Sequence, residues 1–466
     1  MKIVETQYKG NNRLILGIVS GVVTFWLFAQ TMVNIVPAIQ ADLGISSGIL
    51  GIAISLTSLF SGMFMVVAGG LADKHGRVKV TNIGMILSII GSLCLVLATG
   101  PALLIIGRII QGLSAACIMP ATLALMKTYF DGAERQRALS FWSIGSWGGS
   151  GICSFFGGLV ATYFGWRAIF IVSIVVAVIG LLLLKGTPES KFEAVGEKKP
   201  FDVGGLITFV IAMLTFNVFI SQGRTMGWTN PIILGLAVAF VISVILFVNI
   251  EKRHTNSFID FSLFKNKAYS GATLSNFLLN ASAGTMLVAN TYVQMGRGFS
   301  SFQSGLLTIG YLVCVLSSIR LGEKALQKFG SRKPMVTGSF IATIGITLMA
   351  FTFVPGIIYN LLVFVGYALY GFGLGIYATP STDTAISNAP ADKVGSASGI
   401  YKMASSLGGA VGVALSSSLF NALGAQGNME VAGSAGLLLN VAFGTIALAS
   451  ILLTAPKAAS QVEVTE

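Results

Sequence analysis

Long apolar runs alternate with short polar segments along the whole chain. A helix needs about 20 apolar residues to cross the hydrocarbon core of a bilayer, and fourteen runs of this kind follow one another. We therefore predict an all-α polytopic membrane protein with 14 transmembrane helices. The predicted spans, numbered 1 to 14 in chain order, are 14–38, 49–71, 80–99, 102–128, 139–162, 167–185, 203–221, 231–250, 270–293, 303–319, 335–354, 357–386, 396–420 and 434–455.

Lys and Arg side chains concentrate in alternate loops, and short loops rich in these residues stay in the cytoplasm. With the N-terminus inside, the basic residues that fall outside are Arg167, Arg224 and Arg297. This asymmetry predicts that both termini are cytoplasmic. It also accounts for the net charge of +12, which faces anionic membrane lipid, so we expect no nucleic-acid partner.

Sequence patterns in the first part of the chain recur in the second. ADKHGRVKV at 72–80 has the counterpart LQKFGSRKP at 326–334. Residues 119–122 and 148–149 have counterparts in the same order and at nearly the same spacing. We predict an N-terminal six-helix half (1–186), a linker with two inserted helices (187–268) and a C-terminal six-helix half (269–466). Paired halves of this kind are a transporter architecture that binds substrate near the midplane.

The segment GGLADKHGRVK at 69–79 joins spans 2 and 3. Asp73 can pair with a cation or cap the N-terminus of a neighbouring helix, where the macrodipole favours an anion. Gly76 permits a tight turn, and the basic residues hold the loop on the inner face. We predict a gating role for Gly69, Asp73, Gly76 and Arg77. The alternative is a topology loop that has no switching role.

This segment resembles the loop motif G-x-L-A-D-R-x-G-R of the major facilitator superfamily. RIIQG at 108–112 resembles the helix-4 motif R-x-x-Q-G of that superfamily, and FDVGG at 201–205 resembles the start of helix 7 in its 14-helix drug:proton antiporter branch. The segments 140–154 and 376–390 are similar to quinolone efflux pumps of that branch. The resemblance implies a major facilitator fold in the plasma membrane of a bacterium, and we expect a monomer.

Two positions depart from the branch pattern. The first helix of the branch usually carries L-D-x-T-x-V-N, and Ala29 stands here where the acid would be. The helix-5 signature usually contains a proline, which the segment 149–158 lacks. The first departure removes one candidate for proton binding. The second removes a bend, although glycines still let the helices approach closely.

Proton antiport needs a group that gains a proton on one side and releases it on the other. Buried carboxylates suit this role. Asp383 in span 12 is the favoured coupling carboxylate, and Glu323 near the end of span 10 is the second candidate. Asp383 could instead be an ordinary partner of Lys393 or Lys402, and Glu323 a partner of its basic neighbours.

Arg108 is the one basic residue that we predict to lie well inside a span. A cation at that depth is costly unless it faces a cavity or a partner. The family resemblance implies that Arg108 takes part in proton transfer. A structural arginine that binds backbone carbonyls is the alternative.

The superfamily pattern implies that helices 1, 5, 9 and 12 contact the substrate. Aromatic faces with amide groups and few charges accept amphipathic or cationic rings by stacking and cation–π contacts. Aromatic residues that face lipid would give the same sequence pattern. The candidates are Phe25, Trp26, Gln30, Asn34, Trp142, Trp147, Asn276, Asn280, Tyr292 and Tyr377.

The sequence contains no P-loop, no metal-ligand cluster and no nucleophile with a plausible base, so we expect no enzyme activity, no cofactor and no metal site. Energy would then come from an ion gradient, with protons favoured over sodium. Together with the resemblance, this predicts a proton-coupled multidrug efflux transporter that exports amphipathic or cationic drugs, such as quinolones and dyes, by alternating access. The alternative is an exporter of a specific endogenous metabolite or peptide with the same fold.

Overall fold

The computed structural model describes residues 8–32, 35–45, 47–190, 202–253 and 259–455. In these ranges the chain is helical almost throughout and contains no β-strand. The helices are α1 Asn12–Val23, α2 Val36–Leu43, α3 Ser47–His75, α4 Arg77–Val96, α5 Pro101–Tyr129, α6 Gly132–Ser143, α7 Gly149–Phe164, α8 Arg167–Leu184, α9 Val203–Met226, α10 Pro231–Arg253, α11 Lys267–Ala281, α12 Gly284–Met295, α13 Ser301–Phe329, α14 Arg332–Met349, α15 Gly356–Ser387, α16 Val394–Gly424 and α17 Met429–Thr454. Two π-helical segments, Thr24–Ala29 and Ile144–Gly148, continue α1 and connect α6 to α7.

Each predicted span overlaps helical residues, which confirms the all-helical fold. Within the described ranges, ten helices are long and apolar enough to cross a membrane, so the protein is a multi-pass membrane protein. Three predicted spans are interrupted. The π-helical segments break spans 1 and 5, and span 9 divides into α11 and α12 at residues 282–283.

Side chains cap several of the helix starts. Asn11, Asn266 and Asn428 accept hydrogen bonds from backbone N–H groups in the first turns of α1, α11 and α17. Ser300 forms a capping box with Gln303 at the start of α13. Each cap stabilises its helix by about 1 kcal/mol, because the first-turn N–H groups have no partner within the helix.

The outward faces of α8 and α10 are strongly apolar. Val175 and Leu182 in α8, and Ile232 and Val238 in α10, each expose more than half of their surface. Over the 18 most apolar consecutive residues of α10, only 17% of the residues are buried. Surfaces of this kind are suited to lipid, and they explain how half of the chain can be hydrophobic without all of it lying in a core.

The contacts divide the chain into two compact units. Unit 1 comprises Met1–Asp131, Ile144–Leu263 and Ala389–Leu407, and unit 2 comprises Gly132–Ser143, Phe264–Asn388 and Gly408–Glu466. In unit 1, α5 packs against α3 and α4, and α9 packs against α10. In unit 2, α15 packs against α13 and α14, and α17 packs against α11, α12 and α14.

The units follow contacts, whereas the predicted boundaries 1–186, 187–268 and 269–466 follow the order of the chain. All of α6 belongs to unit 2, and the first part of α16 belongs to unit 1. The predicted halves therefore stay a prediction about topology and repeats.

Glycines bring α14 and α15 into backbone contact within unit 2. A Cβ atom at Gly373 would lie 2.4 Å from the Ala342 nitrogen and 2.4 Å from the Gly338 carbonyl oxygen. Because both obstacles are backbone atoms, neither can rotate away, and the two helices would have to separate. Small residues serve this purpose in membrane helices, where close van der Waals contact drives association.

We expect Gly373→Ala to destabilise the protein by about 1–3 kcal/mol through overpacking. Thermal unfolding in detergent measures this as a lower melting temperature. Gly356→Ala is the matched control in the same helix, because a Cβ at Gly356 would meet nothing within 4 Å. Equal melting temperatures for the two variants would contradict the proposed backbone contact.

Candidate functional site

Two π-helical segments meet in unit 1. In such a segment the hydrogen bonds span five residues, as from the Gln30 N–H to the Phe25 carbonyl, and one extra residue enters the turn. Trp26 lies in the first segment and Trp147 in the second. Gly149 allows them to approach, because a Cβ there would lie 3.1 Å from the Cβ of Trp26. Irregular turns of this kind are frequent at functional sites.

Arg108 fixes the first π-helical segment to its neighbours. The guanidinium is fully buried, and its Nη1 donates to the Ala29 carbonyl at 2.8 Å and to Gln111 Oε1 at 2.7 Å. Its Nε donates to the Ala53 carbonyl at 3.4 Å. Arg108 therefore ties the end of the π-helical segment to α3 and α5. This is the geometry of the structural alternative, and a role in proton transfer stays a prediction.

Lys402 is another buried cation, and its depth was not predicted from the sequence. It lies on α16 with 6% of its surface exposed, and its Nζ is 5.6 Å from the centre of the Trp26 ring. At 1.5 Å per residue, it lies about 12 Å from the start of α16. The long apolar sequence that follows residue 402 was the available signal for this depth.

The two candidate coupling carboxylates each have an arginine partner in unit 2. Asp383 Oδ1 accepts a hydrogen bond from Arg135 Nε at 3.0 Å. Glu323 accepts from Arg320, which in turn donates to the Ser140 hydroxyl at 3.2 Å. The Asp383–Arg135 pair joins α15 to α6, whereas the Glu323–Arg320 pair lies within α13 and reaches α6 through the hydrogen bond from Arg320 to Ser140. Asp383 therefore pairs with Arg135, a residue that was not among the partners expected from the sequence.

Asp73 at the end of α3 reaches the start of α16 within unit 1. Its carboxylate accepts from Arg77 Nη2 at 2.9 Å, from the Gly395 N–H at 3.0 Å and from the Ser396 N–H at 3.1 Å. It thus pairs with a cation and caps a helix at the same time, the two roles considered from the sequence. We refer to Asp73, Arg77, Gly395 and Ser396 as the clamp.

Glycines let the backbones of α3 and α16 touch beside the clamp. A Cβ at Gly69 would lie 2.2 Å from the Gly395 carbonyl oxygen, and a Cβ at Gly399 would lie 2.6 Å from the Met65 carbonyl oxygen. Gly395 and Gly399 are four residues apart, so they occupy the same face of α16. The carboxylate of Asp73 reaches the N-terminus of α16 because only glycines lie between the two backbones at this point.

The linker after α8 packs against the same loop. Glu189 accepts from the Val78 and Lys79 N–H groups, both at 2.9 Å, and so caps α4. Gly76 has a φ of +118°, and a Cβ there would lie 2.4 Å from the Glu189 carboxyl carbon. Gly76 is therefore required for the turn and for the approach of the linker. No sequence pattern pointed to Glu189.

A second ion pair secures the start of α16 in unit 1. Lys393 contacts Asp260, which also accepts from the Ser262 N–H at 2.9 Å. Burial raises the pKa of Asp260, but the hydrogen bonds from Lys393 and Ser262 outweigh burial, so the net shift of the pKa is downward. The carboxylate thus stays charged to lower pH than an ordinary aspartate, and its pairing with Lys393 stabilises the fold above that range.

The predicted substrate residues of unit 1 lie around the π-helical segments. Phe25 is buried and meets Trp26 edge-on, with ring centres 5.1 Å apart. Gln30 and Trp147 are half-buried. Asn34 lies outside the described residues. The structure therefore brings Phe25, Trp26, Gln30 and Trp147 to one region of unit 1.

In unit 2, the predicted residues fall into separate groups. The Tyr377 hydroxyl lies 2.7 Å from the Ser275 hydroxyl. One turn away on α11, Asn280 Nδ2 donates to Asn276 Oδ1 at 2.9 Å. Trp142 is buried on α6.

Tyr292 lies apart from these groups, near the end of α12. Its hydroxyl donates to the Thr352 carbonyl at 2.9 Å and accepts from Arg297 Nε at 2.9 Å. Arg297 also donates to the Val354 carbonyl at 2.8 Å. This geometry favours a structural role for Tyr292, while its predicted contact with substrate remains a prediction.

Comparison with known proteins agrees with this architecture. The Major Facilitator Superfamily model matches residues 17–413. The chain is 55% identical over 450 residues to the quinolone resistance protein NorB of one strain of Staphylococcus aureus, with 97% of each chain covered. It is 56% identical over 450 residues to NorB of another strain, again with 97% of each chain covered. These matches confirm the resemblance inferred from the motifs.

Solved structures share the fold at low sequence identity. The proton:xylose symporter XylE superposes with a TM-score of 0.67 at 16% identity over 96% of each chain. The human organic anion transporter MFSD10 superposes with a TM-score of 0.65 at 12% identity over 94% of this chain and 98% of that chain. At these identities the two structures establish the fold alone. The extent of the family match and the identity to NorB show that the chain belongs to the major facilitator superfamily.

Proposed function

We propose that the chain is a proton-coupled multidrug efflux transporter that exports amphipathic drugs, including quinolones, by alternating access. The observation that carries this proposal is the 55% identity to a quinolone resistance protein over 97% of both chains. The matched region includes both units. It also includes the π-helical segments, which lie next to candidate substrate residues. The proposal makes the protein a transporter and not an enzyme.

The proposed topology has 14 transmembrane helices, two six-helix halves and an inserted pair formed by α9 and α10. Both termini are cytoplasmic, in the plasma membrane of a Gram-positive bacterium, and the transporter acts as a monomer in contact with lipid. The overlap of every predicted span with helical residues supports the count. The distribution of Lys and Arg among the loops supports the orientation.

The clamp is the proposed gate. Alternating access requires contacts that hold one state and are broken in the other. An anion at a helix N-terminus contributes about 0.3–1 kcal/mol, and up to about 2 kcal/mol where it is partly buried. Because two of the hydrogen bonds to the Asp73 carboxylate come from the Gly395 and Ser396 N–H groups, releasing α16 would remove both of them. The clamp therefore favours the closed arrangement of α3 and α16 that the structure describes.

The Asp383–Arg135 pair is the proposed coupling site. A proton that binds Asp383 removes the charge that attracts Arg135, so protonation weakens the contact between α6 and α15. Proton binding and a change in helix packing are then one event, as antiport requires. Glu323 is the second proposed coupling carboxylate; it pairs with Arg320 on the same helix, and Arg320 contacts α6 through Ser140. Arg108 holds the π-helical segment in place throughout.

Liposomes with an acidic interior test the proposed function. We expect a quinolone, added outside, to enter in exchange for protons, so that a trapped pH dye reports a rise in internal pH. Asp383→Asn, which cannot cycle a proton, should slow this rise by about tenfold or more. Protein-free liposomes control for passive entry of a weak base. Drug uptake by the wild type without any proton movement would contradict coupling. No uptake of quinolone or dye would favour an exporter of an endogenous metabolite or peptide.

The gating role predicts that Asp73→Asn loosens the start of α16. Ser398 is buried on α16 between Gly395 and Gly399, the two glycines that meet α3. A cysteine introduced by Ser398→Cys should therefore react with a thiol reagent about tenfold faster in the Asp73→Asn background, because the clamp has lost about 1.4 kcal/mol or more.

Asp392→Asn is the matched control, since Asp392 is exposed two residues before α16 and its loss removes the same charge. Equal labelling rates in the Asp73→Asn and Asp392→Asn backgrounds would leave the segment 69–79 as a topology loop.

A further inference from the structure

We propose that the turn between α13 and α14 binds an anionic phospholipid, whose phosphate lies between Lys328 and Lys333 while its acyl chains lie along the exposed face of α14. The turn is the segment LQKFGSRKP at 326–334, the counterpart in unit 2 of the segment at 72–80. This turn has no part in the proposed function. The inference depends only on the membrane location of the protein and on the residues of unit 2.

Phe329 brings two lysines together at the end of α13. Its ring is 42% exposed, and the Nζ atoms of Lys328 and Lys333 lie 5.3 Å and 5.2 Å from the ring centre. In the described part of the chain, no carboxylate pairs with either lysine. Cation–π contact holds both ammonium groups at one ring, where their like charges repel each other. An anion that contacts both ammonium groups removes this repulsion.

The acid closest to the turn in sequence is already engaged. Glu323 is buried, and its carboxylate pairs with Arg320 and accepts from Gln327 Nε2 at 3.2 Å. No Asp or Glu occurs between residues 324 and 382. Lys324, exposed one turn before Lys328 on α13, adds a further positive charge. The exposed surface of the turn is therefore positively charged, and its charge is complementary to an anionic headgroup.

The start of α14 also favours an anion. Arg332 and Lys333 are the first two residues of this helix, so two cations lie at the end where the macrodipole is positive. The first turn contains no acid, and among the described residues no side chain caps it. An anion beside this turn offsets both the macrodipole and the two cations.

The counterpart of this helix start in unit 1 does contact an anion. There the N–H groups of Val78 and Lys79 donate to the carboxylate of Glu189, both at 2.9 Å. In the repeat, these two residues correspond to Arg332 and Lys333. The chain itself thus supplies the anion at the start of α4, and the equivalent anion at the start of α14 is the lipid phosphate.

The surface beyond the lysines is apolar and faces outward. Phe340 and Ile344 follow Lys333 by seven and eleven residues, so the three share one face of α14, and both apolar side chains are exposed. Arg332 Nη2 donates to the carbonyl of Leu452, itself exposed, at 2.8 Å and so joins α17 to the same end of α14. A phosphate with long acyl chains fits a cationic turn that continues into an apolar face, whereas a soluble anion contacts only the turn.

Native mass spectrometry of the full-length protein in detergent tests the site. Phosphatidylglycerol is the anionic probe, and phosphatidylcholine with the same acyl chains is the neutral one. The wild type should bind its first phosphatidylglycerol about tenfold or more tightly, because each lysine near an anionic headgroup adds attraction. Lys328→Gln combined with Lys333→Gln should reduce the affinity for phosphatidylglycerol about tenfold and leave that for phosphatidylcholine unchanged. Lys328→Arg combined with Lys333→Arg should retain the preference.

Lys74→Gln combined with Lys79→Gln is the matched control. Both lysines are exposed, and this variant removes the same charge from the corresponding positions of unit 1, where Glu189 already caps the helix. It should leave the affinity for phosphatidylglycerol nearly unchanged. Phe340→Ser should weaken the binding of both lipids alike, because it removes apolar surface and no charge.

A wild type that binds the two lipids equally would overturn the site, and this result needs no variant to fold. Equal losses of affinity in the two lysine-to-glutamine variants would reveal a general effect of net charge and would also overturn it. Displacement of phosphatidylglycerol by millimolar inorganic phosphate would contradict the role of the acyl chains. Each of these results is independent of whether the protein exports drugs.

Discussion

The contact between Asp73 and the first turn of α16 is the interaction on which the rest of the described arrangement depends. One buried carboxylate receives hydrogen bonds from Arg77 and from two backbone N–H groups of α16. Gly69 and Gly395 are needed because the two helices touch there through their backbones. Lys402 lies beside Trp26 on the first part of α16, which belongs to unit 1 together with the clamp.

Arg108 and Lys402 are both buried, and each cation is tolerated in the membrane protein for a different reason. The guanidinium of Arg108 donates hydrogen bonds to two backbone carbonyls, and a planar group with five N–H donors is well suited to this structural role. Lys402 carries a compact charge on a flexible stem against an aromatic face. The first arrangement stabilises a π-helical segment, and the second places the ammonium group where the ring quadrupole attracts it.

Apolar runs were sufficient to predict where the helices lie, because a helix that crosses the bilayer needs about 20 apolar residues. They could not predict the π-helical breaks at Thr24–Ala29 and Ile144–Gly148, since one extra residue leaves the hydropathy of a run unchanged. The type and position of Asp73 predicted two roles, pairing with a cation and capping a helix, and the structure shows both. The partner Arg135 for Asp383 was missed because 248 residues separate the two in sequence. Glu189 was missed because it lies in a linker without a pattern.

Hydrogen exchange of the amides in the first turn of α16 tests most directly whether the clamp is a gate that opens during transport. If it is, the amides of residues 394–399 should be protected in the substrate-free protein, and their exchange should rise when a quinolone and a proton gradient drive turnover. Amides in the middle of α5, far from the clamp, should remain unchanged. Exchange in the first turn of α16 that is the same at rest and during turnover would contradict a gating role for Asp73.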